Sequence, residues 1–170
     1  MDKASENNII SQMKIVGQWL ANLMRYEDVS KSFRLDAAQD SITRCIQQLE
    51  TAQNLNALNK SQESLAHVFN ICVGARKYCM GVQEGMEEAM ETLCAPAKDP
   101  AHQWIFDVEY NAGSPLHTRF QHMERRVVTF KNAAEKIARC EASVEGAIDA
   151  IHKETVRMAH AERQKIKVEQ

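Results

Sequence analysis

Residues Phe120 to Met158 read FQHMERRVVTFKNAAEKIARCEASVEGAIDAIHKETVRM, and their apolar spacing decides the fold class. Counting from Phe120, the gaps alternate between three and four through Met123, Val127, Phe130, Ala134, Ile137, Glu141, Val144, Ile148, Ile151, Thr155 and Met158. A repeat averaging about 3.5 residues draws one seam along a helix and keeps it facing a partner helix. An ordinary globular helix carries a wider stripe of period 3.6. The stretch therefore predicts a long coiled-coil helix. Glu141 and Thr155 stand where the seam wants apolar side chains. Buried polar residues at such places fix register and partner number at a cost in stability. Alternatively, Glu141 and Gly146 mark a subdivision of the helix.

The same pattern recurs upstream. Ile9, Met13, Val16, Leu20 and Leu23 predict an N-terminal amphipathic helix within residues 1–28, widened by Ile10 and Trp19 and weakened by Gly17. A long heptad helix is expected over 33–95. Its first part is seamed by Leu35, Ala38, Ile42, Cys45, Leu49 and Ala52. Its second part is seamed by Leu65, Val68, Cys72, Ala75, Cys79, Val82, Met86, Ala89 and Leu93. The phase slips between them, over 53–62. Either a stammer in one continuous helix or a short turn near the asparagines of 54–61 accounts for the slip.

All three prolines, Pro96, Pro100 and Pro115, bracket a break over 96–115. Trp104, Ile105, Phe106, Val108 and Tyr110 make this an apolar linker, and Trp104, Phe106 and Tyr110 are the residues expected to pack it onto a helix or a partner. Ser114 and Pro115 read as N-cap and first helical residue of the C-terminal helix, 116–168. The expected fold is all-α: long coiled-coil helices around a proline-marked break, an elongated assembly segment rather than a compact globule.

Composition narrows the function classes. The 170 residues are 44% hydrophobic and 26% charged, too apolar for a disordered chain. A net charge of −2 gives no basis for a nucleic-acid partner. No run of 18 apolar residues occurs, so membrane insertion is not expected, and MDKASENNIISQ lacks the basic start of a secretory signal. Cys45, Cys72, Cys79, Cys94 and Cys140 are odd in number and form no C-x-x-C pair, which argues against a disulfide framework and zinc and for a reducing cytoplasmic or nuclear compartment.

No motif carries catalytic chemistry. The histidines His67, His102, His117, His122, His152 and His160 lack metal-ligand spacing, and no phosphate-cradling glycine loop or nucleophile elbow occurs. Glu84, Glu87, Glu88 and Glu91 read as a solvated helix face. Arg125, Arg126, Lys131, Lys136 and Arg139 interleave with Glu124, Glu135 and Glu141 as charge lacing beside a seam. No cofactor, metal or catalytic residue is expected. The partner-binding seam is Leu65, Val68, Cys72, Val82, Met86, Leu93, Phe120, Met123, Val127, Phe130, Ile137, Val144, Ile148, Ile151 and Met158. Its partners would be other coiled-coil chains, in a hetero- or homo-oligomer.

The stretch MERRVVTFKNAAEKI, residues 123–137, resembles the coiled-coil region of central-channel nucleoporins of the p58/p45 type. The proline-marked break at Tyr110–Pro115 is comparable to that family's, and Ala147–Ile151 through Val156–Ala159 is similar to its final helix. The resemblance implies one strand of a parallel three-chain coiled coil with two sister nucleoporins. It would lie at the nuclear envelope and support nucleocytoplasmic transport as scaffold. The chain holds no Phe-Gly dipeptide, so the transport-factor-binding repeats would lie elsewhere. The alternative expectation is a self-contained helical-bundle adaptor or effector that binds a host protein through 96–115.

Overall fold

The computed structural model describes residues 1–25, 33–51, 54–98 and 115–170. Their regular structure is all α-helical: α1, Lys3–Leu23; α2, Leu35–Thr51; α3, Leu55–Lys98; and α4, Pro115–Glu169. No strand occurs among the described residues.

Local chemistry explains the helix ends. The Asp2 carboxylate accepts the Ser5 backbone N–H at 2.7 Å and so caps α1. That bond satisfies one of the donors a helix start leaves over. The same contact holds the Asp2 carboxyl below its ordinary value. At the other end, Met24 N–H donates to the Leu20 carbonyl at 3.0 Å and closes the last turn, so α1 lies within the residues 1–28 read as its span. Pro115 opens α4, where its missing N–H costs nothing. Ser114, the expected cap, lies outside the described residues.

Of the two alternatives for the phase slip over 53–62, the structure has two helices, one ending at Thr51 and the next starting at Leu55. Asn54 starts the second: its side-chain oxygen accepts the Ala57 N–H at 2.8 Å, and its carbonyl accepts from Leu58 at 3.0 Å. The stripe of α3 then begins at once, with Ala57, Leu58 and Ser61 all buried. Ser61 obscured this in the sequence, because a hydroxyl occupies a seam position. Its Oγ donates to the Ala57 carbonyl at 2.8 Å, which removes most of the cost of burying it. Further on, α3 continues to Lys98, into the stretch expected as linker. The helix α4 runs without a break through Glu141 and Gly146, so the alternative of a subdivision there does not occur. Val144 and Ala147 on either side are buried, and this packing outweighs the roughly 1 kcal/mol that a mid-helix glycine costs.

The chain forms two compact units, residues 1–75 with 136–170, and residues 76–135. In the first unit four helical segments share one core. Helix α1 lies on α2, with Gln39 Nε2 donating to the Gly17 carbonyl at 3.3 Å. Helices α2 and α3 run antiparallel: Phe33 approaches Gly74 at one end, and the Cys45 thiol meets the Ser61 hydroxyl at the other. Cys72 of α3 faces Cys140 and Glu141 of α4. The ammonium of Met1 pairs with the Glu154 carboxylate, which joins the start of the chain to α4. The core is built from Met13, Val16, Leu20, Leu35, Leu49, Leu58, Leu65, Ile137 and Ile151, all fully buried.

In the second unit the described residues are the later turns of α3 and the first turns of α4. Tyr78 meets Phe130 edge to face, and Glu87, Met90 and Glu91 lie beside Phe120, Glu124, Val127 and Val128. Low numbers on one helix meet high numbers on the other, so the pair is antiparallel.

Candidate interaction surface

The seam residues divide by unit. In the first unit Leu65, Val68, Cys72, Ile137, Val144 and Ile151 are wholly buried, while Ile148 and Met158 are half-buried. The helices of this same chain are what cover them. In the second unit Phe130 is buried, but Val82, Met86, Leu93, Phe120, Met123 and Val127 are only half-buried. One periodic pattern thus runs along two surfaces in different environments. Trp104, Phe106 and Tyr110 of the expected linker lie outside the described residues.

The sequence reading missed the width of the buried face on α4. Ala133, Cys140 and Ala147 are buried beside the seam, at their own seven-residue spacing. A helix that buries two such rows touches more than one neighbour, as in a bundle, whereas a two-stranded coiled coil buries one. Small residues repeated every seven positions were the available signal.

Cys45, Cys72, Cys79 and Cys140 behave as apolar groups. Burial pushes the Cys45, Cys72 and Cys140 thiols up to about 12, with neighbouring Glu141 adding to the effect at Cys72 and Cys140. Cys79 is raised to about 11, again by burial. A thiol held protonated in this way is a poor nucleophile at neutral pH. No three His, Cys, Asp or Glu side chains converge on a common point among the described residues. The polar seam residue Thr155 satisfies its hydroxyl within its own helix, on the Ile151 carbonyl at 2.9 Å.

The second unit also carries an open groove of about 540 Å³ between α3 and α4. Its apolar lining is Met90, Phe120, Val127 and Val128, and Glu87, Glu91 and Glu124 line it with exposed carboxylates. Val128 is 57% exposed, unusual for a large aliphatic residue beside half-buried neighbours. The Glu87 carboxylate accepts from Gln83 Nε2 at 3.1 Å, and none of the three carboxylates is ion-paired among the described residues. Such a surface offers apolar contact beside negative charge. It provides no enclosed pocket and no converging acid–base pair. No helix of the described residues is long and apolar enough to cross a membrane.

No family model matches the chain, and neither a curated protein nor a solved structure matches it.

Proposed function

We propose that the protein is a structural, non-catalytic assembly subunit. Its first unit is a self-packed helical base, and its second unit presents a half-buried seam on which a partner helix lies. The observation that carries this reading is the change in seam burial. Leu65, Ile137, Val144 and Ile151 are covered, whereas Met86, Leu93, Phe120 and Val127 keep part of their apolar surface in water. Exposed apolar stripes of that kind favour association.

The coiled-coil character belongs to this proposal and is confined to the second unit. A placement in the nuclear pore, with two sister chains as partners, rests only on the sequence resemblance at residues 110–115, 123–137 and 147–159. The adaptor or effector reading is favoured by the closed core of the first unit, which needs no mate. It predicts a stable monomer until its target is present.

Site-specific photocrosslinking in living cells tests the shared claim. A benzoylphenylalanine at Val128 is expected to form adducts with a defined helical chain. The same group at Lys153, an exposed position in the first unit, is expected to form none. Equal labelling at both positions, or none at Val128, would contradict the proposal.

A further inference from the structure

The last turns of α4 have the chemistry that the groove lacks. From Glu162 to Glu169 every residue of the helix is exposed. Ile166 is 57% and Val168 86% exposed, and both sit among Arg163, Lys165 and Lys167. Those three cations form no ion pair among the described residues. Arg163, Ile166 and Lys167 share one face with His160. A helix exposed all round has no packing to hold it and gains most from a partner.

We infer that the acidic apolar groove of one molecule takes the basic last turns of α4 from a second copy. Ile166 would cover Val128 and Met90, while Arg163 and Lys167, one turn apart on the same face, approach Glu87, Glu91 and Glu124. The lengths agree: residues 120–128 and 160–169 each span about 12–14 Å at 1.5 Å per residue. So short a contact buries less than a stable dimer interface, so the association is weak and concentration-dependent. It is also salt-sensitive, because its charges are exposed. This inference rests on the second unit being a docking surface and adds the identity of the occupant.

A charge-swap experiment on the full chain tests it by light scattering over a concentration series. The wild type is expected to assemble at low salt and to dissociate at 0.5 M salt, a concentration that screens exposed charge. The groove variant E87K/E91K/E124K and the tail variant R163E/K165E/K167E should each associate at least about tenfold more weakly, with helix content unchanged by circular dichroism. Mixing the two variants should restore a heterodimer, since the reversed groove of one now matches the reversed tail of the other. A wild type that stays monomeric, assembly indifferent to either reversal, or a mixture that fails to associate would each overturn the inference. Were the wild type monomeric while Val128 still crosslinks to a different chain, the docking surface would stand and only the second-copy occupant would fall. Failure of both measurements would remove the docking surface as well.

Discussion

The edge of the Tyr78 ring meets the Phe130 ring, with centroids 6.2 Å apart and planes inclined at 69°. Phe130 is 1% exposed and Tyr78 37%, so an exposed ring shields a buried one. On another side the Arg126 guanidinium lies 5.7 Å from the Phe130 centroid, within cation–π range. Phe130 is the largest fully buried side chain among the described residues of the second unit, and it packs α4 against α3. Cys79 and Ala134 of that unit's seam are buried with it, while Val82, Met86, Leu93, Phe120, Met123 and Val127 are half-buried.

Replacing Phe130 should consequently be costly. Phe130→Ala is expected to lose about 3–5 kcal/mol, because it removes a buried ring and leaves a cavity. Tyr78→Ala should lose about 0.5–1.5 kcal/mol beyond the area it uncovers, the usual worth of an edge-to-face pair. Urea unfolding of the two variants measures the difference, and equal losses would contradict this.

A charge in the core of the first unit should prevent folding. Ile137→Asp buries an unpaired carboxylate among fully buried neighbours, and the variant should be largely unfolded by circular dichroism. Lys131→Asp, at an exposed position on the same helix, should stay within about 0.5 kcal/mol of wild type. The seam reading of the sequence makes Arg126→Asp the mild control, but Arg126 covers the Phe130 ring, so this substitution should be felt.

The glycines of α3 and α1 separate helix propensity from packing. A methyl group at Gly81 or Gly85 meets nothing within 4 Å, and at Gly17 it meets Ile42 at an ordinary 3.8 Å. Each change to alanine is expected to stabilise by about 0.5–1 kcal/mol. At Gly74 the methyl would sit 3.3 Å from the Phe33 ring, so the gain should be smaller or reversed. Thermal unfolding of the four variants gives the order directly.

Alkaline pH should destabilise the protein. The Cys45, Cys72 and Cys140 thiols are raised from 9.0 to about 12 in the folded chain, so they hold protons that the unfolded chain releases. Their contribution is full below pH 9 and is lost as pH rises from there through about 12. Alkylation by iodoacetamide at neutral pH should also leave these three thiols unmodified until urea unfolds the first unit. Rapid labelling of any of them in the native protein would mean that the core opens readily.

The periodicity of the chain revealed which residues pack, but it could not reveal against what. Ile137, Val144 and Ile151 were legible as a buried row because strong apolar residues recur every seven positions. Ala133, Cys140 and Ala147 were not, since small residues are equally common on exposed helix faces. Ser61 hid the start of the α3 stripe by being polar and internally satisfied. The Glu87–Glu91 side of the groove was read as a solvated face, because only the fold brings Phe120, Glu124 and Val128 beside it. The sequence left open whether the seams are covered by the same chain or by others, and in the first unit α1 and α2 supply the mate.

The central claim is that one continuous apolar pattern is closed in the first unit and open in the second. Amide hydrogen exchange on the isolated chain, at concentrations too low for assembly, tests this most directly. Amides within 137–151 and 58–72 are expected to exchange slowest, through global unfolding only. Those within 117–128 should exchange faster by local opening, and should slow when a partner helix binds. Uniform protection along α4, or greatest protection at 117–128, would contradict the account.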